Sequence, residues 1–157
     1  MSAIFLSASV PLVGRGRTHE AADPVSIEFA VRELVVAVSE RQRIVWGGHP
    51  TIAPMMWKIC KDLNINCAKS VVLYQSRFFE EHFPEENKAF ANVVFVDAVP
   101  GDREASLLRL REAMLSREDL TGAVFIGGME GVQAEYTLFK RFHPKVTRLD
   151  GHLTYPD

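Results

Sequence analysis

At 157 residues, with 47% hydrophobic and 24% charged side chains, the chain can bury one sizeable core and reads as a single globular domain over residues 1–157. A net charge of −2, from 18 basic against 20 acidic residues, leaves no basic face for duplex nucleic acid. No apolar run reaches the ~20 residues that span a bilayer, and "MSAIFLSAS" lacks the basic start of a secretory signal, so a cytoplasmic protein without a membrane partner is expected.

In chain order, "AIFLSA" (3–8) is an apolar run and reads as a strand. "DPVSIEFAVRELVVAVSE" (23–40) opens with Asp23 as N-cap and Pro24 at the first helical position, then spaces apolar residues for a helix. "RIVWGG" (43–48) reads as a second strand, and "TIAPMMWKICKDL" (51–63) as a helix that tolerates Pro54 only in its first turn. Cys60 and Cys67, the only cysteines, are expected as reduced, partly buried thiols. "KSVVLYQS" (69–76) and "NVVFVDA" (92–98) read as strands, separated by an irregular or short helical segment. A helix over 101–118, a strand over 121–128, a helix over 130–142 and a sixth strand over 145–150 complete the series. Strands that alternate with helices and run continuously apolar predict a doubly wound α/β fold: a mostly parallel sheet of five or six strands, with helices on both faces.

In such a sheet, ligands bind beyond the carboxyl ends of the strands. Two strand–Gly-Gly–helix units put Gly47, Gly48, Gly127 and Gly128 there. Glycine permits sharp turns and close ligand approach, and a helix N-terminus suits phosphate, so the pairs read as a phosphate cradle or, without a ligand, as tight turns. Ser7 and Ser9 end the first strand as hydroxyl donors, and Arg15 and Arg17 follow on a glycine-flexible loop. His49 either donates to a ligand or caps the turn, with Thr51 nearby. Asp97 ends the fourth strand, where it either accepts ribose hydroxyls or starts the "VPGD" turn. Arg111 and Glu135 each interrupt an apolar helical stripe; an ion on a buried face is costly unless paired or used, so they form either an ion pair or a pocket wall. No group has zinc-ligand spacing, and neither a metal nor a cofactor is expected.

"FIGGMEGVQAEY" resembles the Pro-Gly-Gly-x-Gly-Thr-x-x-Glu signature of the Lonely Guy phosphoribohydrolases. Gly127, Gly128 and Gly131 match its glycines, Glu135 matches its catalytic glutamate, and Arg111 stands where that family carries its catalytic arginine. Ile126 replaces the proline, Val132 replaces the threonine, and one residue is inserted between the glycines. "IFLSASVP", "VWGGHPTIAP" and "FIGGMEG", in that order, are more closely similar to the SLOG (SMF/DprA–LOG) superfamily over nearly the whole chain. That resemblance implies a Rossmann-like fold and a sensor of a nucleotide-derived molecule of the ADP-ribose or cyclic ADP-ribose type, in bacterial conflict or antiphage signalling. The ligand would sit against Ser7, Ser9, Gly47, Gly48, His49, Thr51, Gly127, Gly128, Gly131 and Glu135. The alternative is a Lonely-Guy-like nucleoside 5′-monophosphate hydrolase with Arg111 and Glu135 catalytic. A homo-oligomer and an effector encoded nearby are further expectations. Many relatives add a Ser/Thr-Gly-Gly turn after the last strand, which "KVTRLDGHLTYPD" lacks.

Overall fold

The structure is a computed structural model and describes residues 1–10, 23–127 and 130–151. Six parallel strands form one sheet: β1 (Ala3–Ala8), β2 (Arg43–Trp46), β3 (Val71–Ser76), β4 (Val93–Val96), β5 (Leu120–Ile126) and β6 (Thr147–Gly151), in the spatial order β4-β3-β2-β1-β5-β6. The architecture is therefore α/β and Rossmann-like, with the expected sixth strand at one edge.

Among the described residues, four long helices cover the sheet, α1 (Pro24–Val38), α2 (Ala53–Asp62), α3 (Arg103–Leu115) and α4 (Glu130–Phe142), and a single helical turn, Cys67–Ser70, precedes β3. Asp23 caps α1 by accepting from the Val25 amide at 3.0 Å, and Asp102 caps α3 by accepting from Ala105 at 2.9 Å. Both carboxylates satisfy an amide that the helix itself leaves unpaired. The helical repeat then places Ile27, Val31 and Val35 of α1 on one buried stripe. Alternation along each strand sorts the core into two layers. On one face Leu6, Ile44, Trp46 and Leu73 pack under α1 and α2. On the other, Phe5, Val45, Val72 and Phe125 pack under Leu110 and Met114 of α3 and Phe139 of α4. Each such large apolar side chain contributes roughly 1.5–3 kcal/mol when fully buried.

The segment between β3 and β4 is two 3₁₀ helices, Arg77–His82 and Glu85–Ala89, the first capped by Ser76. Cys60 is buried and disulfide-bonded, not the free thiol expected. After α2, Asn64 adopts φ +54° and the Ile65 amide returns to the Cys60 carbonyl at 2.9 Å, so the chain doubles back on that helix end. Such a reversal at a non-glycine residue is not visible in composition or spacing. Among the described residues, no helix is long and apolar enough to cross a membrane.

Candidate functional site

The chain builds outward from β1 through β2 and β3 to β4, then returns to β5 on the other side of β1. This reversal lies between β1 and β5, the position at which open α/β sheets take ligands beyond the carboxyl ends of their strands. β1 runs between the exits of β2 and β5, so Ser7 and Ser9 lie between the two glycine turns.

The glycines have reasons within the chain itself. Gly48 has φ +65° and Gly127 φ +77°, in the left-handed region that side chains disfavour. A Cβ on Gly48 would lie 2.1 Å from Gln75 Nε2, and one on Gly127 would lie 2.4 Å from the Ser9 carbonyl oxygen. Gly47 faces α3, where an added Cβ would approach Met114 Cε to 3.3 Å. Gly128 lies outside the described residues, as do Arg15 and Arg17.

Thr51 ties the loops together. Its hydroxyl oxygen accepts from the Val10 amide at 3.1 Å and lies 2.8 Å from His49 Nδ1. The Thr51 amide donates to the same Nδ1 at 3.3 Å, which makes that nitrogen an acceptor and places the proton of a neutral ring on Nε2. His49 therefore shapes the turn. The α2 helix that follows has Ile52 at its N-cap, which offers no side-chain acceptor to the leading amides.

On the α3/α4 face, Ser7 donates its hydroxyl hydrogen to Glu135 Oε2. Arg111 Nε lies 3.8 Å from Glu135 Oε1, and the two side chains are only 16% and 19% exposed. Gly131 makes room for the arginine, since an added Cβ would sit 3.3 Å from Arg111 Nη2. Burial pushes the Glu135 carboxyl above its ordinary value, while the Ser7 hydrogen bond and the Arg111 charge pull it down. Arg111 Nε and Ser9 Oγ are buried without a hydrogen-bond partner. An unpaired buried donor costs about 1–3 kcal/mol, more when charged, so this corner holds polar capacity that the described protein groups do not use.

The two residues that interrupt apolar stripes thus meet, and Ser7 joins them. Asp97 does not: β4 is the outer strand, three places from β1, and its side chain is 87% exposed beside Arg77. Two surface hollows lie away from this corner. One, of about 270 Å³, is lined by Arg43 and Arg117, and an apolar one of about 360 Å³ by Leu34, Ile126 and Leu149. Neither includes Ser7, Arg111 or Glu135. Among the described residues, no group of three or more His, Cys, Asp or Glu side chains is placed to hold a metal. Sequence reasoning missed Gln75 and Asn87, which support the first glycine turn. The available signal was a long polar side chain at the end of the apolar run "VVLYQS".

A parallel sheet with a serine–glutamate–arginine cluster at its switch point defines a Rossmann-like domain of the kind that takes ligands at the carboxyl edge. The model of the SLOG cluster3 family matches residues 17–150, and the chain belongs to that family. No curated protein and no solved structure matches it.

Proposed function

We propose that this chain binds a nucleotide-derived small molecule of the ADP-ribose or cyclic ADP-ribose type and serves as its sensor. The observation that carries the reading is Arg111, a nearly buried guanidinium whose Nε has no hydrogen-bond partner, held loosely by Glu135 at the switch point. An anionic ligand would satisfy Arg111 and the leading amides of α2, and Glu135 would accept from a ribose hydroxyl. Membership of the SLOG cluster3 family supports nucleotide-related chemistry in general. The roles of Ser7, Ser9, Gly47, Gly48, His49, Thr51, Gly127, Gly128 and Gly131 around that ligand belong to the same proposal. So do a homo-oligomeric state, an effector partner and a place in antiphage signalling, which rest on the superfamily resemblance.

The second reading, a nucleoside 5′-monophosphate hydrolase, is favoured by the raised pKa of Glu135, which suits a proton-transferring group. Against it stands Val132, in the position of the hydrolase threonine. It is buried in the α3/α4 core and presents no hydroxyl. A melting-temperature screen with ADP-ribose, cyclic ADP-ribose and AMP, followed by chromatography for free base, tests both. A ligand at about 100 times its Kd adds roughly 2.7 kcal/mol. The sensor reading expects stabilisation without base release; accumulation of adenine would replace it with the hydrolase.

A further inference from the structure

We propose that Gln75 and Asn87 form a polar clamp that positions the Gly47–Gly48 turn, and so act as positioning residues for the ligand; the second clause rests on the function proposed above. The β2–β3 ladder is in register from Ile44↔Val71 to Trp46↔Leu73 and ends there, because β2 stops at Trp46. The Gly47 carbonyl leaves the strand without a ladder partner on that side. Gln75 supplies one: its Nε2 donates to the Gly47 carbonyl at 3.1 Å and to the Tyr74 carbonyl at 2.9 Å. Its Oε1 accepts from Asn87 Nδ2 at 3.1 Å.

Both amide protons of Gln75 are thus in use, and the side chain is buried, with the residue 5% exposed. It has no donor left to offer a ligand. Burying an amide costs several kcal/mol unless it is hydrogen-bonded, and here one bond holds the Gly47 carbonyl, one returns to the Tyr74 carbonyl and one takes up Asn87. Gly48 is the other half of the interlock. It lies beyond the end of the ladder, and a Cβ there would fall 2.1 Å from Gln75 Nε2 and 2.5 Å from Leu73 Cδ1. The missing side chain is the space through which the glutamine reaches the turn.

Asn87 comes from the second 3₁₀ helix, is itself buried, and leaves its Oδ1 without a partner. The end of that helix is pinned to β2 by the next residue, Phe90, which packs against Trp46 with ring centroids 5.6 Å apart. The segment between β3 and β4 therefore carries a tether to the first glycine turn, and its placement is transmitted to that turn through two side-chain amides.

The test compares Gln75→Leu, Gln75→Glu and Asn87→Ala with the wild type. Hydrogen exchange of the ligand-free protein is read over residues 46–52, with β1 and β5 as internal reference, and ADP-ribose affinity is measured by calorimetry. The clamp predicts exchange over 46–52 about tenfold faster in Gln75→Leu, with β1 and β5 unchanged, and affinity about tenfold weaker, the size expected for one lost buried hydrogen bond of about 1.4 kcal/mol. Asn87→Ala shows the same pattern at smaller amplitude. In Gln75→Glu a protonated carboxyl can still donate to Gly47 and an ionised one cannot. Its affinity relative to wild type therefore falls as pH rises. Unchanged exchange over 46–52, or faster exchange throughout the sheet, overturns the clamp. Weaker affinity with unchanged exchange overturns it too, by making Gln75 a ligand contact. If ADP-ribose does not bind the wild type, the proposed function and the ligand half of the inference fall, and exchange alone decides the clamp.

Discussion

The Ser7 hydroxyl donates to the Glu135 carboxylate, joining the end of the first strand to the middle of the last helix across 128 positions of sequence. The bond stabilises the ionised carboxylate, as does the Arg111 guanidinium 3.8 Å away, while burial opposes both. Ser7→Ala removes a donor to the charged form, so the Glu135 titration midpoint should move up. Arg111→Gln should move it up as well, by less, because its contribution is the smaller. Carboxyl-carbon NMR titration of Glu135 reads both changes; a midpoint that falls in either variant contradicts this balance.

The same carboxyl makes stability depend on pH. Its folded pKa lies above the ordinary 4.5, so below that value folded and unfolded forms are both protonated and its contribution is fully present. As pH rises through the folded pKa that contribution is lost, because the unfolded chain ionises more readily. Glu135→Gln stays neutral throughout. Relative to wild type, its melting temperature should climb as pH rises from 4.5 towards neutrality. A difference that is flat or falls over that range would show that burial does not dominate at Glu135.

Among the described residues, three glycines with positive φ separate backbone strain from crowding. At Gly101 (φ +72°) an added Cβ meets nothing within 4 Å, whereas Gly48 and Gly127 have atoms within 2.4 Å. Gly101→Ala should cost about 1–2 kcal/mol, the left-handed penalty alone. Gly48→Ala and Gly127→Ala should each cost at least about 1 kcal/mol more in urea denaturation. Equal costs at all three would mean that the close contacts relax freely.

Much of this was legible in the sequence because it depends on local periodicity. The stretch 3–8 is β1 to the residue, 130–142 is α4 to the residue, and Asp23 with Pro24 opens α1. Arg111 and Glu135 were legible because each breaks an apolar stripe, which raises the question of what offsets the buried charge. The rest depends on register between distant segments. No pattern within "VVLYQS" says that Gln75 reaches the Gly47–Gly48 turn, or that Asn87 will donate to that glutamine. Nor does "GGHPT" say that Thr51 will bond to Val10, forty-one positions earlier. That Asp97 stands apart from the Ser7–Glu135–Arg111 cluster follows from strand order, which puts β4 at the edge and is not written in any one strand.

Thr51 bridges the loops after β1 and β2 through its hydroxyl. Thr51→Val keeps the shape and removes that bridge, leaving the Val10 amide without its acceptor. A loss of about 1 kcal/mol is expected, with Thr51→Ser close to wild type. Urea midpoints for the pair decide it; a neutral Thr51→Val would mean that the bridge contributes nothing.

In the proposed function, the Ser7–Glu135–Arg111 corner receives an anionic, nucleotide-derived ligand without consuming it. Calorimetric titration of ADP-ribose into wild type and Arg111→Gln, with chromatography of the cell contents afterwards, measures both halves. Saturable binding to wild type is expected, with intact ADP-ribose at the end. Arg111→Gln should bind at least about tenfold more weakly, in keeping with about 1.5–3 kcal/mol for a charged hydrogen bond. Equal affinities in the two proteins, or free base in the wild-type cell, would refute the sensor reading.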